Sequence, residues 1–252
     1  MQHALLALLL VVLGLLVWRA VTRGRGPYQR FKKLTSTRAR RLVYARWLLE
    51  SVLVMGGLSV AVLLAAWAYV PLVLRSTQEW TPAAAARGFL GTPLGIVVSI
   101  VLLLIVTAAL IGPVVLLRGS ADGDGVAEIP AVGDIRALLP RVRGELKYGA
   151  ALGLQAGVFE ELLFRLALPA LLYGIIGNGP LAFALACLLF GILHLYQGPP
   201  GILVSTVLGV VFAVLYVATG SIAAPIVLHA LVDLRSLVLI PIAIGGAWRQ
   251  RA

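Results

Sequence analysis

The stretch YGAALGLQAGVFEELLFRLALP, residues 148–169, decides what kind of protein this chain is. Gly149, Gly153 and Gly157 recur every four residues, the spacing of one helix face that lets a neighbouring helix approach closely. The run is apolar enough to lie in lipid, yet it carries Glu160, Glu161 and Arg165. Ionisable groups at membrane depth are costly, so their default reading is a functional site. At about 100° per residue, the spacing predicts Glu160 on the glycine ridge, facing a packed interior, with Glu161 at its margin. Glu161 and Arg165 stand four apart and are expected to pair. Glu160 is then the free carboxylate, placed for work as a general base.

Composition agrees with a membrane setting. Of 252 residues, 61% are hydrophobic and 12% charged, with a mean hydropathy of +1.01. A soluble domain carries about 25% charged residues, and no polar stretch here is long enough to build one. The single Cys187 lies in an apolar run, which excludes an intrachain disulfide. The net charge of +11 is concentrated: ten of the 21 basic residues fall between Arg19 and Arg46. A short polybasic loop between apolar segments marks the cytoplasmic side, and it is expected to touch anionic lipid headgroups. Nucleic acid is not expected as a partner, since Tyr28 and Phe31 are the loop's only aromatic residues before Tyr44.

Apolar runs at 4–21, 47–74 and 93–117 predict three spans, the first an uncleaved anchor with its N-terminus outside. Pro71 and Arg75 are expected to close the second. The polar connection 118–147 is expected to hold a short interfacial helix from Asp134 to Leu146. Beyond it, 148–176, 181–196, 202–219 and 222–247 are apolar, separated by Gly and Pro turns at 177–180, 198–201 and 220–221. Reading 148–176 as one helix gives seven spans and puts the basic tail Trp248 to Arg251 inside. Splitting it near Arg165 and Pro169 gives eight. Arg235 falls in mid-span, where it pairs with an acid, lines a wet cavity or marks a break. The predicted fold is therefore an all-α polytopic integral membrane protein, a bundle of seven or eight transmembrane helices. Residues 1–146 form a three-span region with the basic loop, and 147–252 a catalytic helical core.

Two of the chain's three histidines fall in that core. His194 follows Phe190 by four residues, and His229 precedes Asp233 by four, so each pair shares a helix face. Two histidines and acids from separate helices can converge inside a bundle. The ridge Ser205, Gly209, Ala213 reads as helix packing.

Glu160-Glu161-Leu-Leu-Phe-Arg165, then Phe190 to His194, then His229 to Asp233, match E-E-x-x-x-R, F-x-x-x-H and H-x-x-x-N/D in order. Over 147–240 the chain resembles the CAAX protease and bacteriocin-processing (CPBP/Abi) family of intramembrane proteases, relatives of the prenyl-protein endopeptidase Rce1. The resemblance implies an endopeptidase in which Glu160 and His194 activate a water. It implies an oxyanion stabilised by His229 and the residue at position 233, with Glu161, Arg165 and Phe190 in support. Position 233 departs from the Asn form, and an ionised Asp233 cannot donate a hydrogen bond. It must be protonated, orient His229, or ligate a metal. The resemblance favours a mechanism without cofactor; the alternative is zinc held by Glu160, His194, His229 and Asp233. Other readings are a membrane scaffold and a proton-coupled transporter. The expected partners are a peptide or membrane-protein substrate and the bilayer, in a multi-pass protein of a prokaryotic cell membrane.

Overall fold

The computed structural model describes residues 2–22, 25–120 and 136–244, which are helical nearly throughout and contain no strand. Gln2–Thr22 is the first long helix, a short helix Arg25–Lys32 follows, and Thr37–Gln78 is the second long helix, Ser36 Oγ accepting from Ala39 N at the latter's start. Pro71 does not close the second helix. The chain tightens into a 3-10 turn at Trp67–Tyr69, and Pro71 then sits in the first turn of the next segment, where its missing N–H costs nothing. Pro93–Ser120 is the third long helix. The interfacial helix expected from Asp134 is replaced, in its described part, by one 3-10 turn at Arg136–Leu138. Pro140 follows and Val142 is extended (φ −137°, ψ 154°) before a helix starts at Arg143. Asp134 and the tail from Trp248 lie outside the described residues.

Arg143–Glu161 runs through a π segment, Leu162–Ala167, into Leu168–Ile176, so 143–176 is one continuous glutamate helix. Its left-handed cap is Gly177 (φ 67°), a conformation that favours glycine. Asn178 then starts Gly179–Ile192, its Oδ1 accepting from Leu181 N. Pro199–Thr219 and Ala223–Ala243 complete the core. Five helices are long and apolar enough to cross a membrane among the described residues. Large apolar side chains such as Leu10, Leu64, Leu103 and Val214 point outward on them, a surface that hydrocarbon solvates and water does not. This is a multi-pass helical membrane protein.

One apolar core joins both halves: Leu5, Val12 and Leu16 of the first helix and Met55 and Val62 of the second pack with Phe164, Leu171 and Phe190. The basic loop is less solvated than its charge implied. Arg40 is buried; its Nε meets Glu145 Oε1 at 3.0 Å, and its Nη2 donates to Tyr44 OH and to the carbonyls of Ala137 and Leu139. Arg141 N donates to Glu145 Oε2 at 3.0 Å. That hub pins the start of the glutamate helix.

The glycine ridge turns out to be Gly149, Gly153, Gly157 and Glu161, all buried at i+4 spacing. It packs on the last helix. A Cβ on Gly157 would stand 2.9 Å from Ala230 N, and one on Gly153 3.0 Å from the Asp233 Cβ. Gly157→Ala should therefore force backbone apart and cost about 1–3 kcal/mol, read as a lower thermal midpoint in detergent; an unchanged midpoint would show that the helices separate freely.

Candidate active site

The ridge geometry corrects the placement of the two acids. Glu161, not Glu160, continues the glycine row and is fully buried, while Glu160 is turned one residue off it onto a cavity of about 420 Å³. His194, His229 and Asp233 line the same cavity. The four residues singled out for chemistry thus reach one space from three helical segments.

Glu161 is a bridge. Its Oε2 lies 3.0 Å from Arg165 Nε, and its Oε1 accepts the Nδ1 hydrogen of His229 at 2.7 Å. Arg165 stands within the π segment, a local widening that often marks functional positions. Its guanidinium is wholly buried and faces the rings of Phe190 (4.8 Å) and Phe212 (5.6 Å), contacts that suit a planar, weakly hydrated cation. Phe212 also stacks on the His229 ring, with centroids 4.8 Å apart and planes 19° apart. His229 is therefore held on one edge by a carboxylate and on one face by an aromatic ring. Its Nε2 remains toward Asp233, whose Oδ2 is 3.8 Å away, beyond hydrogen-bond reach.

His194 sits just past the end of its helix, where Nδ1–H donates to the Phe190 carbonyl at 2.8 Å. A carbonyl only accepts, so in the neutral ring Nε2 carries the lone pair. Phe190 thus contributes its carbonyl to His194 and its ring to Arg165, and it packs edge-on against Phe164 at 5.3 Å. Ser205 opens on the cavity, while Gly209 on the same ridge packs against Phe190.

Arg19, Tyr196 and Arg235 are cavity residues as well. Of the three possibilities open for Arg235, the structure shows a cavity-lining side chain at the start of a π segment. Tyr196 lies in the turn after His194; its hydroxyl accepts from Gln197 Nε2 at 2.9 Å, and burial pushes its pKa up to about 12, so it stays a neutral donor. Charge alone groups Arg19 with the basic loop. Arg19 Nη2 donates to Ser51 Oγ at 3.3 Å, and the residue lines the same cavity as Glu160. The signal was its place: Arg19 follows Trp18 directly at the end of an apolar run, still within the first helix.

Among the described residues no three His, Cys, Asp or Glu side chains gather as metal ligands do.

Fold and site together define a polytopic helical membrane protein that encloses a glutamate–histidine cavity between its helices. Residues 143–235 match the family model of type II CAAX prenyl endopeptidase Rce1-like proteins. This segment holds every motif residue from Glu160 to Asp233, and the match supports the resemblance to the CAAX protease and bacteriocin-processing family related to Rce1, a peptidase family. Comparison with curated proteins and with solved structures gives no match.

Proposed function

We propose that the protein is an intramembrane endopeptidase that hydrolyses a peptide bond with a water activated by Glu160 and His194, without a metal. The observation that carries this reading is the division of labour between adjacent glutamates. Glu161 is spent on Arg165 and His229, and Glu160 faces the cavity that His194 shares. In the step we envisage, water donates one hydrogen bond to His194 Nε2 and its other proton passes to Glu160. The oxygen bonds to the peptide carbonyl carbon, and negative charge develops on the carbonyl oxygen. His229, oriented by Glu161, donates to that oxygen through Nε2 when its ring carries both protons. Glu160 then returns its proton to the departing amine as the C–N bond breaks. The substrate is a peptide segment that reaches the cavity from the bilayer or its cytoplasmic edge. The test is cleavage of reporter membrane peptides by purified protein in liposomes, followed by mass spectrometry, with Glu160→Gln as the inactive control.

Asp233 sits where negative charge would develop and offers no donor when ionised. Asp233→Asn supplies an amide N–H and removes the opposing charge. It is expected to raise the turnover number by on the order of tenfold, since one well-placed oxyanion donor commands an effect of that size or more. A loss of turnover on steady-state kinetics would show instead that the carboxylate itself is needed.

A further inference from the structure

Arg19 is the cavity's unexplained cation. It comes from the first helix, outside the segment that matches the peptidase family. One of its terminal nitrogens is held by Ser51 Oγ, while the other, Nη1, is buried with no hydrogen-bond partner. Buried donors left unpaired cost about 1–3 kcal/mol, so such a group stands ready for an acceptor. Glu160 lines the same cavity but does not bond to Nη1, which has no hydrogen-bond partner. They face each other across space that the 420 Å³ cavity provides. The cavity that Arg19 lines is walled also by Tyr28, Trp47, Ser51 and Tyr196. A planar guanidinium in such a setting selects a planar anion with two oxygens.

We propose that Arg19 is a substrate-binding residue that receives a carboxylate of the bound peptide, from an acidic side chain or from the chain's C-terminus. The proposal rests on the peptidase reading of the cavity and adds its selectivity. Arg19 fixes the distance between that carboxylate and the bond presented to Glu160, so peptides carrying the anion at the right offset dock in register. Arg235, on the last helix, is the other cation on the cavity wall and the natural competitor for this role.

The test uses the full-length protein in detergent micelles and fluorescein-labelled peptides whose backbone is N-methylated against cleavage. One pair differs by a free or amidated C-terminus with neutral side chains. The other, amidated throughout, differs by Glu or Gln at each position in turn. Binding by fluorescence anisotropy is expected to favour a carboxylate form by about 10- to 100-fold, the size of a charge-assisted hydrogen bond. The pair that shows the preference identifies the source of the anion. Arg19→Gln is expected to abolish the preference while still binding the neutral peptides, which shows that the cavity remains folded; Arg19→Lys should keep part of it. Equal binding of all forms by the unaltered protein overturns the proposal. So does a preference that survives Arg19→Gln, or one that is lost only in Arg235→Gln. Parallel incubation with cleavable peptides separates the two readings: a carboxylate preference without cleavage refutes the peptidase and leaves the binding site standing.

Discussion

Glu160→Gln is expected to cut peptide hydrolysis by about 10²–10⁴-fold, the usual contribution of a positioned general base, while the fold survives. The physical case has two parts. An amide cannot take the proton that water must lose, so the chemical step fails even though the side chain keeps its shape. Glu160 faces the cavity and its neighbour Glu161 holds the structural contacts, so the exchange leaves the packed ridge untouched. Thermal unfolding should therefore stay within about 0.5 kcal/mol of the unaltered protein. His194→Ala is expected to act on the same step, and the pair Glu160→Gln with His194→Ala should be little worse than either alone, because residues that act as a unit are not additive. Turnover by Glu160→Gln within tenfold of the original would remove the residue from the chemistry. Two independent, multiplying losses would mean that the glutamate and the histidine serve separate steps.

The sequence singles out the polar side chains of the cavity and its wall more clearly than it shows their arrangement. Glu160, Glu161, Arg165, His194, His229 and Asp233 stood out because charge inside apolar helices is conspicuous, and the spans followed from the same contrast. The membrane fold was legible for that reason. Which acid lies on the ridge is less legible, although the i+4 row from Gly149 through Gly157 leads to Glu161 and not to Glu160. Adjacent residues differ by about 100° around the helix, and the close approach of Ala230 and Asp233 to the glycines marks the packed side. The bond from His229 to Glu161 spans 68 residues and no local spacing announces it. Arg19 and Arg40 were lost in a polybasic run because a topology signal and a buried hub look alike in composition. Arg40 is buried by Glu145 and backbone carbonyls far along the chain, and Arg19 is carried into the cavity by its own helix.

Glu161→Ala is expected to destabilise the protein by about 3–5 kcal/mol, the cost of leaving one member of a buried ion pair behind. Arg165 is wholly buried, and Glu161 is the carboxylate that meets its Nε. The same substitution frees His229, which loses the 2.7 Å bond to its Nδ1 and with it the fixed ring orientation. Stability and chemistry therefore fall together, and a single variant cannot say which loss stops turnover. The double variant Glu161→Gln with Arg165→Met separates them. Replacing both charges with a neutral amide and an apolar chain of similar volume removes the uncompensated cation, and such exchanges of buried pairs are often neutral or stabilising. Met is flexible enough to fill the space between Phe190 and Phe212. Its unfolding midpoint is expected to return toward the original value while turnover stays at least about 10²-fold down, because the amide oxygen is a weaker partner for a charged His229 than a carboxylate. Recovery of turnover along with stability would make Glu161 a packing residue whose bond to His229 is incidental. Recovery of stability alone assigns it two jobs, a brace for the bulge at Arg165 and an orienting acceptor for the histidine that meets the substrate carbonyl.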